Sequence, residues 1–446
     1  MNTENIYKET YRPQFHFTAK KGWLNDPNGM VFHKGEYHLF FQHYPDGLVP
    51  TYNSMHWGHA VSKDMVHWTE LPIVFYPDEN GAAWSGSAVA DIENTSGFKT
   101  GKEDVLVAAY TGEEHGQCIA YSNDLGRTWE KYSRNPVIPF FPDRDPKVIW
   151  HGPTGKWVMA LYAEKTARSG QKGTAFFSSD DLKSWTYMSE VPGFYECPDF
   201  FELPVDNSTS HKRWVLVSGN GDYLIGAFDG NAFITESGPH KADFGANFYA
   251  TQTFSGIPAE DGRRIQIAWM NGGVYPDMPF NQQMSFPCEL TLRTCEDGIR
   301  LFRYPVKEIE SLYKTEHRST NLTLLPKQAP HKIIEGELLD IDLVMNVGDA
   351  AECGIILRGQ RITYNQSSGI ISVLGKEAVM GLEHGSIKLR ILLDKTSIEL
   401  FGNNGEISMS SCFVPELEEK TISGFAEGGA ATITHISINE LHSAWQ

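Results

Sequence analysis

The sequence predicts an all-β protein, a five-bladed β-propeller followed by a C-terminal β-sandwich. Three observations lead to this prediction. Helical periodicity is nearly absent, and short apolar segments rich in β-branched and aromatic residues dominate the chain. One two-strand unit recurs five times before Pro305. The pattern breaks after Pro305, and alternating strand-like segments resume from about residue 318.

The repeated unit pairs a short first strand with a strongly apolar second strand. The second strands are Glu36–Tyr44, Asp104–Gly112, Lys156–Lys165, Arg213–Gly221 and Arg263–Gly272. Their starts lie about 50 to 70 residues apart, which leaves room for about four strands in each unit. Five such units favour a propeller, because each blade buries its faces against its neighbours. A pair of β-sandwiches, the alternative, would not require five copies of one unit.

Each first strand begins at a polar motif. The motifs are Asp26-Pro27-Asn28-Gly29, Trp84-Ser85-Gly86-Ser87, Asp145-Pro146-Lys147, Glu196-Cys197-Pro198-Asp199 and Asn247-Phe248-Tyr249. The innermost strand of every propeller blade lines the central axis. These motifs are therefore expected to converge there, although they are far apart in sequence.

In three units, a turn with the same order of residue types comes later in the unit than the two strands. The three copies are Ser62-Lys63-Asp64 with Trp68, Ser122-Asn123-Asp124 with Trp129, and Ser179-Asp180-Asp181 with Trp185. The middle copy is a complete Asp box, in which the Asp and Gly close a hairpin and the Trp packs between sheets. We interpret these turns as structural.

The predicted domain organisation has three parts. Residues 1–304 form the propeller, residues 305–317 form a linker or short helix after Pro305, and residues 318–446 form the sandwich. The sandwich strands are predicted at Leu338–Met345, Cys353–Leu357, Ile370–Val373, Ser386–Leu393, Ser397–Phe401 and Thr432–Ile438. This region lacks a cluster of acids, His or Cys, so packing or sugar contact is expected there rather than catalysis.

Composition narrows the function classes. The chain has 446 residues, 41% of them hydrophobic, and a formal net charge of −18. The acidic balance argues against nucleic acid as a partner, since phosphate binding needs clustered Lys and Arg. No uninterrupted apolar stretch is long enough to span a membrane. The first residues contain no basic or apolar signal region, so a cytoplasmic location is expected.

Three acids at the starts of first strands are the candidate catalytic residues. Asp26 and Asp145 each precede a proline, which places them at matching repeat positions and predicts that both face the axis. Glu196 lies one residue earlier relative to its proline, and a one-residue shift on a strand normally reverses the face. A bulge or twist is therefore needed to bring it inward. Two carboxyl groups in one pocket are the requirement of glycoside hydrolysis.

Metal chemistry is not expected. His56 and His59 are spaced by three residues in an extended segment, which puts them on opposite faces, and no nearby acid completes a site. No cofactor is implied.

The motif Trp23-Leu24-Asn25-Asp26-Pro27-Asn28-Gly29 resembles the signature of the invertase and fructanase family, glycoside hydrolase family 32. Further motifs of that family follow in its order: Phe41-Gln42, His56-Trp57-Gly58-His59-Ala60, Trp84-Ser85-Gly86-Ser87, Arg144-Asp145-Pro146, Glu196-Cys197-Pro198-Asp199 and Ser397-Ile398-Glu399-Leu400-Phe401. The resemblance covers nearly the whole chain, and the motifs are highly specific as a set.

The resemblance implies roles that spacing does not assign. Asp26 would attack the anomeric carbon of a β-fructofuranosyl unit, Glu196 would protonate the leaving oxygen and then activate water, and Asp145 would hold fructose hydroxyls. The anomeric configuration would be retained.

The resemblance also implies a set of substrate-binding residues. Fructose would be bound by Asn25, Gln42, Ser85 and Arg144, between walls formed by Trp84 and Trp269. One position departs from the family pattern. Where a Trp-Gly pair is common, this chain has Tyr52-Asn53, so Tyr52 is expected to reshape the pocket wall.

The implied function is release of β-D-fructofuranosyl units from the non-reducing ends of fructans, fructo-oligosaccharides or sucrose. Two alternatives stay open: sucrose-6-phosphate hydrolysis, which needs a cationic cluster beside the leaving group, and fructosyl transfer, which uses the same covalent intermediate. A non-catalytic carbohydrate-binding propeller would not need three acids. A sialidase-like propeller would need several converging arginines, and only Arg144 lies in a pocket motif.

Overall fold

A computed structural model describes residues 6–51 and 53–445 of the protein. Within these residues, strands account for nearly all regular structure, and no helix has the length and apolarity that crossing a bilayer requires. The described residues include three short 3-10 helices, at Gly152–Thr154, Lys307–Leu312 and Asn403–Gly405.

The first three blades are antiparallel four-stranded sheets that follow one another along the chain. The first contains β1 (Gly22–His33), β2 (Glu36–Tyr44), β3 (His56–Ser62) and β4 (Trp68–Phe75). The second contains β5 (Ala83–Asp91), β6 (Val105–Gly112), β7 (Gly116–Ser122) and β8 (Glu130–Lys131). The third contains β9 (Arg144–His151), β10 (Lys156–Ala163), β11 (Gly173–Ser179) and β12 (Thr186–Pro192).

The last two blades complete the ring. The fourth contains β13 (Asp199–Val205), β14 (Ser208–Val217), β15 (Asp222–Phe228) and β16 (Phe233–Lys241). The fifth contains β17 (Tyr249–Thr253), β18 (Arg264–Trp269), β20 (Cys288–Cys295) and β21 (Gly298–Pro305), and between β18 and β20 runs the short β19 (Phe280–Asn281). Strand β19 pairs in parallel with β1, from Gly22 to Phe280, and so ties the fifth blade to the first. The first strands of neighbouring blades contact one another around the axis.

The Asp-box turns recur with the same hydrogen bonds in the first three blades. In each, the indole N–H donates to a backbone carbonyl three residues earlier, from Trp68 to Met65, Trp129 to Gly126 and Trp185 to Leu182. In each, the Ser hydroxyl also contacts the turn carboxylate. The turns therefore close hairpins, as the sequence predicted.

The C-terminal part is a sandwich of two six-stranded sheets. Its strands are β22 (Tyr313–Leu324), β23 (His331–Glu335), β24 (Leu339–Asn346), β25 (Glu352–Leu357), β26 (Gln360–Asn365), β27 (Ile370–Val373), β28 (Lys376–Val379), β29 (Ser386–Asp394), β30 (Ser397–Gly402), β31 (Ile407–Cys412), β32 (Thr421–Glu427) and β33 (Ala431–Leu441). One sheet runs β22-β33-β24-β29-β30-β31 and the other β23-β32-β25-β26-β27-β28. Ile341 and Ile355 contribute to the core between them and are fully buried.

A buried charge cluster fastens the sandwich to the propeller. His16, in the segment before β1, contacts Asp394 through Nδ1 and Glu399 through Nε2, each at 2.8 Å. Arg303 of β21 reaches Glu399 from the other side at 3.4 Å. Burial by itself lowers the pKa of His16, but the two carboxylates outweigh it and raise the pKa to about 9. His16 therefore stays charged at neutral pH and joins the two domains by ionic hydrogen bonds.

We expect this cluster to make the protein less stable in alkaline solution. Because the pKa of His16 is raised on folding from 6.5 to about 9, its contribution is complete below pH 6.5 and is lost as the pH rises through 9. The free energy of unfolding should fall by on the order of 3 kcal/mol over that range. Thermal unfolding experiments between pH 6 and 10 measure this fall in the free energy of unfolding.

The matched variants are His16→Gln and His317→Gln. His317 pairs with Glu440 at 2.7 Å but is 43% exposed, so its removal should leave the pH slope unchanged. His16→Gln should remove the fall in stability between pH 7 and 9, whereas the raised pKa of Asp145 contributes only up to about pH 7. An equal slope in both variants would show that His16 is not its source.

Candidate active site

Four of the five innermost strands carry a one-residue bulge at the start, where two residues oppose a single residue of the neighbouring strand. The bulged pairs are Asn25-Asp26, Trp84-Ser85, Asp145-Pro146 and Ala250-Thr251, and Cys197-Pro198 takes the corresponding place just before β13. In the fourth blade the Gly219 N–H closes the equivalent turn by donating to the Glu196 carbonyl at 2.8 Å. A bulge re-aims the side chains around it, so one end of the axis receives polar groups from all five blades.

The bulges correct the predicted register of the acids. Asp145 is the first bulged residue of its strand and matches Asn25, whereas Asp26 is the second and matches Ser85. The expectation that Asp26 and Asp145 occupy matching repeat positions was therefore wrong by one residue. Glu196 lies just before the corresponding pair of its blade, and positive φ angles at Glu196 and Cys197, 26° and 45°, supply the turn that the sequence required.

The three acids meet in one cavity at this end of the axis, which we call the axial pocket. The backbone N–H of Cys197 donates to Asp145 Oδ2 at 3.1 Å, and its Sγ lies 3.5 Å from both Asp26 Oδ2 and Asp145 Oδ2. The axial pocket has a volume of about 430 Å³. Its described lining residues are Trp23, Asn25, Asp26, Gln42, Pro50, Thr51, Asn53, Met55, Trp84, Ser85, Glu113, Arg144, Asp145, Glu196, Cys197, Tyr249 and Trp269.

Asp26 lies on the floor of the axial pocket among neutral donors. Ser85 Oγ donates to Asp26 Oδ2 at 2.5 Å, and Asn25 Nδ2 donates to Oδ1 at 3.1 Å. Asn25 is itself oriented by the indole N–H of Trp23 at 2.7 Å. Burial raises the pKa of Asp26, while these donors act in the opposite direction. The carboxylate is thus fixed in orientation, and none of the cations in the described part of the chain bonds to it.

Glu196 is held by stronger donors. Arg144 reaches Glu196 Oε2 through Nη2 at 2.7 Å and Nε at 3.1 Å, and the Tyr249 hydroxyl donates to Oε1 at 2.5 Å. Arg144 also contacts Glu164 at 3.2 Å and lies over the Tyr162 ring at 4.5 Å. The two carboxyl groups of the pair therefore have different environments, one neutral and one cationic.

Asp145 lies between the other two acids. Burial, and then the charges of Asp26 and Glu196, raise the pKa of Asp145 to about 7 against the opposing charge of Arg144. The group keeps its proton in mildly acidic solution. A protonated carboxyl can both donate to and accept from sugar hydroxyls.

The remaining predicted site residues mostly reach the same pocket. Gln42 is fixed by donation from Nε2 to the Ala83 carbonyl at 2.9 Å. Trp84 packs beside Phe141, with ring centroids 5.4 Å apart. Trp269 donates to Gln282 Oε1 at 3.0 Å. Tyr52 lies outside the described residues.

The two histidines of the His-Trp-Gly-His motif lie away from the acids. His59 is buried 3.1 Å from His38, and His56 contacts the Ser54 carbonyl at 2.8 Å.

Comparison with known proteins agrees with this geometry. Residues 16–305 match the model of the glycosyl hydrolases family 32 N-terminal domain, and residues 308–440 match that of the family 32 C-terminal domain. The chain belongs to glycosyl hydrolase family 32. The predictions of the family, of the propeller-and-sandwich fold and of a glycosidase are thereby confirmed.

Individual members of family 32 align over nearly the whole chain. A levanase of Bacillus subtilis is 41% identical, over 99% of this chain and 72% of its own length. The crystal structure of an exo-inulinase from Aspergillus awamori superposes with a TM-score of 0.88 at 28% identity, covering 98% of this chain and all of the other. A variant fructofuranosidase of Schwanniomyces occidentalis, in complex with fructosylnystose, superposes with a TM-score of 0.85 at 26% identity, covering 98% of both chains.

Several residues that line this family 32 pocket were not predicted from the sequence, above all Tyr249. Strand pairing shows that Arg144, Glu196 and Tyr249 hold the same position, just before the bulge or its equivalent, in three successive blades. That shared position explains why they bond to one another. The Asn247-Phe248-Tyr249 motif contains this residue. Its equivalence to Arg144 and Glu196 is visible only when the register is counted from the bulge rather than from proline.

Proposed function

We propose that the protein is a retaining, exo-acting β-fructosidase that removes β-D-fructofuranosyl units from the non-reducing ends of fructans, fructo-oligosaccharides and sucrose. The observation that carries this proposal is the pair formed by Asp26 and Glu196, two carboxyl groups that face one pocket in different environments. Family membership and the levanase and exo-inulinase relatives support the fructose-containing substrate.

In the first step, an Asp26 oxygen attacks the anomeric carbon of the fructosyl unit. The bond from that carbon to the leaving oxygen breaks, and Glu196 gives its proton to the leaving oxygen. The product is a fructosyl ester of Asp26. Ser85 and Asn25 hold the attacking carboxylate in line because both donate to it.

In the second step, Glu196, now ionised, takes a proton from water. The water oxygen attacks the anomeric carbon, and the ester bond to Asp26 breaks. Arg144 and Tyr249 keep the Glu196 carboxyl in one orientation through both steps. Asp145 binds fructose hydroxyls, whose hydrogen bonds strengthen as positive charge develops on the ring.

The shape of the axial pocket favours attack at chain ends. Below the three acids the axis holds a space of only about 10 Å³, lined by Pro27, Pro146 and Pro198 among others. That space holds about one water molecule. A sugar chain cannot pass along the axis, which favours the binding of a terminal unit at Asp26.

The charge of the axial pocket favours a neutral substrate. Its described lining contains four carboxyl groups, including Glu113, and a single guanidinium, Arg144, which is paired with Glu196 and Glu164. The cationic cluster that a phosphorylated leaving group would need is not found among these residues. Sucrose-6-phosphate is therefore disfavoured.

Chromatography of products from levan, inulin and sucrose tests the proposal. We expect fructose as the sole early product from either polymer and fructose with glucose from sucrose. Release of oligosaccharides before fructose would contradict end-wise attack. Longer oligosaccharides at high sucrose concentration would show fructosyl transfer in place of hydrolysis.

A further inference from the structure

We propose that Glu113 determines specificity on the leaving-group side of the axial pocket, accepting hydrogen bonds from a hydroxyl-rich neutral leaving sugar and repelling an anionic one. This inference rests on the proposed β-fructosidase function. It assigns a role to the fourth acid of the axial pocket, Glu113, which takes no part in the two bond-breaking steps.

The position of Glu113 places it at the pocket mouth. The three axial acids lie at the starts of innermost strands, whereas Glu113 directly follows β6, the second strand of its blade. It is therefore one strand farther from the axis than Ser85, which bonds Asp26 from β5. Because the axis is closed below Asp26, the leaving group of a fructosyl unit bound there has to point away from the floor, into the part of the axial pocket that Glu113 also lines.

The Glu113 carboxyl has capacity for a ligand. Burial and the neighbouring Glu114 raise its pKa, while the Asn53 backbone and the Trp84 indole act against that shift. Among the described residues, none donates a hydrogen bond to its Oε2, which is buried. A carboxylate accepts up to about four hydrogen bonds, and sugar hydroxyls supply such donors.

Charge gives Glu113 its discriminating effect. Among the described residues, no cation forms an ion pair with Glu113, and the single guanidinium of the described pocket lining, Arg144, is shared among Asp145, Glu164 and Glu196. A phosphate on the leaving glucose would approach an uncompensated negative charge. Such a repulsive element separates substrates that are otherwise alike.

The experiment compares kcat/KM for sucrose and sucrose-6-phosphate in the full chain and in Glu113→Gln. The substitution keeps the side-chain shape and removes the charge. We expect the ratio of kcat/KM for sucrose-6-phosphate to that for sucrose to rise at least about tenfold. In the unaltered protein, high salt should move the ratio in the same direction because it screens the repulsion.

Glu114→Gln is the matched control, since Glu114 is exposed and does not line the pocket. An unchanged ratio in Glu113→Gln, or an equal rise in Glu114→Gln, would overturn the inference. A salt-independent ratio in the unaltered protein would also overturn it. Failure of the unaltered protein to release fructose from sucrose or fructan would instead refute the proposed function, so the two failures are distinguishable.

Discussion

Asp26→Asn should lose at least about 10⁴-fold in kcat on sucrose and fructans while the protein stays folded. An amide cannot attack the anomeric carbon to form a glycosyl ester. The substitution keeps the side-chain volume, and the amide oxygen can still accept a hydrogen bond from Asn25. Removing a buried carboxyl whose pKa is raised by burial takes away a desolvation penalty, so the melting temperature should not fall.

Asp46→Asn is the matched control because Asp46 is exposed, follows β2 in the same blade and does not line the axial pocket. It should retain the activity of the unaltered protein. If a freshly purified, sequence-verified Asp26→Asn protein kept kcat within tenfold of the unaltered protein, Asp26 would not be the nucleophile.

Glu196→Ala should show a loss that depends on the leaving group. Sucrose and fructans release poor leaving groups that need a proton, and we expect activity on them to fall by about 10³-fold or more. An aryl β-fructoside releases a phenolate with little help, so its first step should be far less affected. Added azide should partly restore turnover, because a small anion attacks the fructosyl-enzyme without a general base.

Glu202→Ala, in the strand that follows Glu196, is the control for this series. Glu202 pairs with Lys212 at 3.1 Å and is not among the residues that line the axial pocket. The loss of activity in Glu202→Ala should be small, and it should be equal for the sucrose or fructan substrate and the aryl β-fructoside. Equal large losses on both substrates in Glu196→Ala, without an azide response, would assign the acid to another carboxyl of the axial pocket.

The architecture could be predicted because blade packing leaves a strong signal in the sequence. The second strand of each blade contains a run of consecutive buried residues, and a continuous apolar segment of the sequence marks it. The predicted Glu36–Tyr44 and Ile370–Val373 agree with the observed bounds of β2 and β27. The domain boundaries stay a prediction, although strand β22 already begins at Tyr313, inside the stretch assigned to the linker.

The detailed arrangement of the site could not be predicted because it depends on bulges. A bulge breaks the two-residue alternation on which face assignment rests, and no residue type marks it uniquely. A register counted from the prolines therefore matched Asp26 to Asp145 wrongly. It also left open which way the side chain of Glu196 points. The family motifs identified the acids, but the Tyr249 contact with Glu196 emerges only when the fifth blade closes against the fourth.

The stereochemistry of transfer to methanol shows whether a covalent intermediate forms on Asp26. Two displacements at the anomeric carbon restore the starting configuration. With sucrose as donor, the first transfer product that chromatography and NMR detect should be methyl β-fructofuranoside. Exclusive formation of the α-methyl fructoside would mean a single displacement and would contradict a covalent intermediate on Asp26.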